Sequence, residues 1–290
     1  SERVLVISPA FLDELARFES GIDQQTTSIQ QGEQQSQSVG EGLTFSDYRR
    51  YSRGDDTRLI DWRLYARTGE YYIKQFEEER NLTVHILLDA SASMDFGEEL
   101  QDKFEFGAKL GLGYAYLTAE AHDEFRFSLF TNSYDRIDTG ASTRGEVLTL
   151  IDQLNEYTPS GEAEFATAFE TYAGSINSRS LVVIVTDCLG DLSELETGLS
   201  SLAENEVILA QVLAPGEINP DISGDTIFKG TETAIQRRTY FGGSRAKQYQ
   251  SAVDQFVDDV NSRAQELAVQ HNMLPTDSDF FESFTDIWIG

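Results

Sequence analysis

Three stretches of the chain are almost wholly apolar: TVHILLD from Thr83, SLVVIVTD from Ser180 and EVILAQVLA from Glu206. Short apolar runs bounded by polar segments predict strands buried on both faces. Segments with helical spacing lie between them. Residues 100–121 place Phe104, Ala108, Leu112 and Ala115 on one face. Residues 142–155 open with Ser142 and Thr143, a helix-start signal, and 163–176 and 192–205 also read as helices. FRFSLFT from Phe125 adds a strand, and YDRIDTG from Tyr134 reads as its short partner. Strands alternating with helices predict an α/β domain over 81–214, doubly wound, with a mainly parallel sheet and helices on both faces.

The flanks differ in pattern. Residues 9–23 form an amphipathic helix by spacing, with Phe11, Leu12, Leu15 and Phe18 on one stripe. Residues 24–40 (QQTTSIQQGEQQSQSVG) offer little to bury and read as a flexible linker. Residues 43–80 are dense in Arg and aromatics, with strands expected at 43–51 and 70–77 and a helical turn near 57–67. Trp62 is expected to anchor this segment on the following domain. Residues 1–80 are therefore read as an accessory segment. Residues 215–290 are read as an edge strand or hairpin at 225–240, a long helix at 244–271 and a docking tail, FFESFTDIWIG. No internal repeat is visible.

Charge adds a constraint on partners and surroundings. Asp and Glu number 50 against 22 Lys and Arg, a net charge of −28 with pI ≈ 4.3. Such a chain repels DNA, RNA and anionic lipid, so no nucleic-acid partner is expected. Only 5 of the basic residues are Lys and 17 are Arg. That balance suits high salt, where the screening length falls to about 3 Å at 1 M. It points to a halophilic archaeal cytoplasm, with an ordinary acidic protein as the alternative. No apolar run is long enough to span a membrane. The first residues show no basic flank or apolar core of a secretory signal. The single Cys188 excludes an internal disulfide, and three scattered His residues (His85, His122, His271) argue against a zinc site.

The candidate chemistry sits at two strand ends. VHILL runs into Asp89-Ala90-Ser91-Ala92-Ser93, and LVVIV runs into Thr186-Asp187. Ligands of open parallel sheets bind outside the carboxyl ends of strands. If these two strands are neighbours, two carboxylates and the Ser91 and Ser93 hydroxyls converge. An all-oxygen set suits a hard divalent ion, Mg2+ or Mn2+, rather than zinc or copper. The structural alternative is that Ser91 or Ser93 caps the next helix and Asp187 caps a turn.

Asp89-Ala90-Ser91-Ala92-Ser93 resembles the DxSxS of the metal-ion-dependent adhesion site in von Willebrand factor A domains, and Asp187 matches that motif's distal Asp. The stretch FSDYRRYSRGDDTRLIDWRLYARTGEYYIKQFEEER resembles the signature preceding such a domain in the domain-of-unknown-function-58 family. The two matches together cover roughly residues 5–290. The resemblance implies a von Willebrand factor A-like fold and metal ligands at Asp89, Ser91, Ser93 and Asp187. It also implies an adaptor or chaperone role beside a MoxR-type AAA+ ATPase or its client, with no established catalysis. One position departs from the motif: the loop that supplies a Thr reads Ser160-Gly161-Glu162-Ala163-Glu164, with Ala163 in the Thr position. This should weaken metal binding; Thr158 or Ser160 could substitute, and Glu162 or Glu164 could reach the ion where a partner would.

Six Arg residues (49, 50, 53, 58, 63, 67) fall among Asp55, Asp56 and Asp61. Arg53 and Arg58 could belong to a docking surface for an acidic partner. The favoured alternative is an internal ion-pair network with Glu77, Glu78 and Glu79. Three functions compete: a metal-assisted protein-binding module, an Mg2+-dependent phosphoryl-transfer or hydrolytic enzyme, and a metal-free structural subunit. The enzyme reading is disfavoured because no Walker-A loop, no DxDx[TV] motif, no Lys near either strand end and no His in the site are expected.

Overall fold

Alternation along the apolar strands has a direct structural consequence. Ile86 and Leu88 face one core, with Val183, Val185, Ile208, Ala210 and Val212. Leu87 faces a second core on the opposite side, with Val182, Ile184, Val207 and Leu209. A strand with an apolar side chain on each face is stable only when both faces are covered. The computed structural model describes residues 7–30, 43–50, 64–65, 70–78, 83–96, 102–219 and 243–289. Residues 1–24 and 82–290 form one unit and residues 25–81 another.

The larger unit is a six-stranded sheet. Its strands are β3 (Thr83–Asp89), β4 (Glu124–Phe130), β5 (Tyr134–Arg136), β6 (Leu181–Thr186), β7 (Glu206–Leu213) and β8 (Gln270–Pro275). The spatial order is β5-β4-β3-β6-β7-β8. All neighbours are parallel except β4 and β5. The helices are α1 (Phe11–Gln30), α2 (Lys103–Glu120), α3 (Arg144–Glu156), α4 (Phe165–Ala173), α5 (Leu192–Ser201), the short α6 (Pro215–Ile218), α7 (Gly243–Glu266) and α8 (Phe280–Ile289). Residues of α2 and α3 line the first core, and residues of α4, α5 and α7 line the second. The fold is the expected doubly wound, mainly parallel α/β architecture.

Three starts follow from local chemistry. Asp102, Thr143 and Asp191 sit at the N-caps of α2, α3 and α5, and each side chain accepts a backbone N–H of the first turn. Such caps contribute about 1 kcal/mol each. At Gly113 of α2 an added Cβ would lie 2.8 Å from Phe284, so glycine admits the aromatic ring of α8.

Several expectations change in detail. The first helix continues through Gln30, so Gln24–Gln30 are helical rather than linker. Gln is a fair helix former, and no Pro interrupts the run. Ile7, Phe11, Leu12 and Leu15 are buried in the first core, and Phe11 and Phe18 meet Phe280, Phe281 and Phe284. The start of the chain thus packs within the sheet-bearing unit. The long helix ends at Glu266 and is followed by β8, where a helix to 271 was expected. QHNMLP carries few apolar residues because it lies at a sheet edge, so it lacks the buried-strand signature. The aromatic tail docks as α8, with Tyr114 donating to the Ile287 carbonyl at 2.7 Å. The proposed hairpin at 225–240 lies outside the described residues.

In the smaller unit the two expected strands form, and β1 (Leu43–Arg50) pairs antiparallel with β2 (Tyr72–Glu78). Arg50 pairs with Glu70 at 2.6 Å on an exposed surface, and Tyr65 stacks on Tyr71. An exposed pair of this kind contributes little. Arg53, Arg58, Trp62 and most of the 57–67 turn lie outside the described residues.

Candidate functional site

Connections from β3 run to β4 on one side, and β6 returns to its other side. The two carboxyl ends therefore flank the crevice where such sheets bind ligands. Asp89 ends β3 and Asp187 directly follows β6, so the two carboxylates share one edge. Both are fully buried.

Each Asp is held by its own loop. Asp89 Oδ1 accepts the Ser91 N–H at 2.8 Å, and Asp187 Oδ1 accepts the Leu189 N–H at 2.8 Å. An Asp that accepts an N–H two residues on closes an Asx turn, which turns the chain out of the strand. Asp89 Oδ2 also accepts the Thr186 hydroxyl at 2.6 Å across the β3–β6 pair. The Ser91 and Ser93 hydroxyls lie 3.0 Å apart. Ser91 precedes the short 3-10 turn Ala92–Met94, but its side chain does not cap it. Ser91 is buried and Ser93 half-buried.

The loop carrying Ala163 lies against this edge. Ser160 N–H donates to the Ala90 carbonyl at 2.8 Å, and Ala92 N–H donates to the Gly161 carbonyl at 2.9 Å. Glu162 and Glu164 are exposed, and Ala163 is half-buried against the second core.

One side chain overturns an expectation. Lys103, the first residue of α2, is fully buried and donates to Asp187 Oδ2 at 2.7 Å and to Glu217 Oε1 at 2.7 Å. A Lys therefore does sit at the strand end, brought there from 84 positions away in sequence. Nothing in its local pattern marks it, since the first turn of a helix usually faces solvent. Glu217 Oε2 in turn accepts the Ala214 N–H, and the Glu217 carbonyl accepts the Tyr249 hydroxyl. The Phe96 ring lies 5.5 Å from the ammonium.

Burial would lower the pKa of Lys103, but Asp187 and Glu217 outweigh it and hold the amine above its ordinary value. Burial, then the charge of Asp187, pushes the Asp89 carboxyl up to about 6. Burial also raises Glu217, against the pull of Lys103. Asp187 and Glu217 thus face one ammonium, and Asp89 adds a third carboxyl at the same edge beside Asp187, leaving acidic groups in excess there. This all-oxygen donor set and its charge excess fit a hard divalent ion in chemistry, at Asp89, Ser91, Ser93 and Asp187. Asp187 would have to share with the ammonium. Among the described residues, no group of three or more His, Cys, Asp or Glu is placed to hold a metal. His271 bonds to Gln211, whose amide reaches the Asp187 carbonyl at 3.3 Å, so the imidazole stays one residue removed. Also among the described residues, no helix is long and apolar enough to cross a membrane.

A family model described as "Protein of unknown function DUF58" matches residues 47–255. The uncharacterized protein Rv1480 of Mycobacterium tuberculosis is 24% identical over 234 residues, covering 79% of this chain and 73% of its own. The uncharacterized protein Mb1516 of Mycobacterium bovis matches to the same extent. Among solved structures, an aerotolerance-related membrane protein from Bacteroides fragilis is similar with TM-score 0.46 at 16% identity, over 71% of this chain and 96% of that one. The SpRpn10 VWA domain is similar with TM-score 0.41 at 12% identity, over 71% and 94%.

Proposed function

For this chain, which belongs to the family described as "Protein of unknown function DUF58", we propose the role of a protein-binding module that recognises its partner at the strand edge. The observation that carries this reading is the pair of Ser91 and Ser93 hydroxyls beside Asp89, at an edge flanked by the exposed Glu162 and Glu164. Lys103 is held charged between two carboxylates, so it is a poor base or nucleophile, and recognition suits this edge better than turnover. Asp89, Ser91, Ser93 and Asp187 would hold an Mg2+ or Mn2+ ion. When bound, the ion supplies an open coordination position for a partner's Asp or Glu carboxylate. Ser91 and Ser93 would offer their hydroxyl oxygens to that ion, and Asp89 keeps their loop in place through the Ser91 N–H. A MoxR-type AAA+ ATPase or its client is the proposed partner class, on the sequence resemblance. The working environment is a salt-rich cytoplasm, on the charge of −28.

Capture of the partner from a salt-loving host, in high salt with and without chelator, tests this. Asp89→Asn should weaken capture while leaving the far-UV circular dichroism unchanged, and chelator should do the same to the wild type. Equal recovery from all three would refute the reading.

A further inference from the structure

Lys103 is one of only 5 lysines in the chain, and its ammonium is wholly buried. A buried amine is costly unless its charge is matched, and here two carboxylates match it at 2.7 Å each. Both Asp187 oxygens are engaged, one by the ammonium and one by the Leu189 N–H. A Mg2+ ion bonds oxygen at about 2.0–2.1 Å. An ion bonded to Asp187 Oδ2 would therefore sit beside the ammonium, and like charges repel strongly in so dry a place.

We propose that Lys103 is the resident cation of the strand-edge site, holding Asp187 and Glu217 together, and that a divalent ion gains Asp187 only by displacing its ammonium. This rests on the strand-edge reading above and adds a residue that sets its ion affinity. Two cations then compete for one carboxylate. Wild-type affinity for the ion is low because part of the binding energy is used to expel the ammonium. The cost falls on the corner after β7 as well, because Glu217 loses its partner while still holding the Ala214 N–H.

The test is calorimetric titration of the full chain with Mn2+ alone, in high salt, for wild type, Lys103→Met and the double variant Lys103→Met/Glu217→Gln. The double variant removes one charge of each sign, so the net charge of the site is unchanged and only the competitor is gone. It also leaves one buried carboxylate, Asp187, without its ammonium, where Lys103→Met alone leaves two. Lys109→Met, on the same helix but paired with Glu105, serves as the charge control. Both Lys103 variants should bind Mn2+ about tenfold or more tightly than wild type, the worth of one charged hydrogen bond. Lys109→Met should match wild type, and Mn2+ should raise the Tm of the double variant more than that of wild type. A double variant that binds no more tightly than wild type, or gains no extra Tm from Mn2+, overturns the proposal. No partner enters this titration. Tighter Mn2+ binding alongside chelator-insensitive capture would reject the protein-recognition reading and leave the exchange standing. The reverse pair would do the opposite.

Discussion

Lowering the pH should expose a cost stored at His85. This residue lies in the middle of β3, 7% exposed, with Nδ1 2.8 Å from the Tyr172 hydroxyl. Burial, then the charges of Arg126 and Arg136, lowers its pKa from 6.5 to about 4, with Asp138 opposing. The unfolded chain therefore takes up the proton first. The stability contributed by the neutral imidazole is complete above about pH 6.5 and is lost as the pH falls toward about 4. A shift of that size corresponds to at most about 3 kcal/mol, with about 2 kcal/mol lost by pH 5. Asp89 acts in the opposite sense. Its carboxyl is raised from 3.8 to about 6, so the folded state binds the extra proton and gains stability as the pH falls through that window. The two effects oppose each other, so the wild-type curve alone isolates neither. His85→Asn separates them, since Asn keeps a polar atom near the Nδ1 position and cannot titrate. Urea unfolding of both proteins in high salt, at about pH 7.5 and about pH 5, gives the difference between them at each pH. That difference should move by about 2 kcal/mol against the wild type on acidification. A difference that stays constant within about 0.5 kcal/mol would show that His85 does not enter the fold as a neutral group.

Three further outcomes follow from particular contacts. Gly198→Ala should destabilise by about 1–3 kcal/mol in urea. Its Cβ would meet the Phe165 carbonyl at 2.6 Å and Phe169 at 2.8 Å, between α4 and α5; Gly145→Ala, with nothing nearer than 3.8 Å, should be neutral or stabilising. Tyr114→Phe removes the hydroxyl bond to Ile287 and should cost about 1 kcal/mol, read as faster amide exchange confined to α8. Ala163→Thr adds a hydroxyl to the loop bonded to Ala90 and Ala92, and should tighten Mn2+ binding in the same titration; unchanged affinity would show that position 163 does not face the ion.

Much of this molecule is legible in its residues. VHILLD, LVVIVT and EVILAQVL could only be strands covered on both faces, because no water-facing surface tolerates such runs. Parallel pairing of those strands put the two terminal Asp residues at one end, and the Asx turns that hold them are encoded within two residues of each Asp. The aromatic tail likewise had to find a core. What periodicity could not supply was the identity of partners distant in the chain. β8 was invisible because an edge strand needs apolar residues on fewer positions, and its place is set by the exposed side of β7 rather than by its own sequence. The apolar stripe of the first helix says that it packs, not on what; only the fold shows Phe11 and Phe18 against Phe280, Phe281 and Phe284. Lys103 is the clearest case. Its charge predicts solvent, and only the folding of β6 and α6 around the start of α2 brings Asp187 and Glu217 within 2.7 Å. Hydrophobic pattern determines which faces are buried because burial is a property of one segment. Charge pairing in a dry interior depends on several segments at once, so it was decided only in three dimensions.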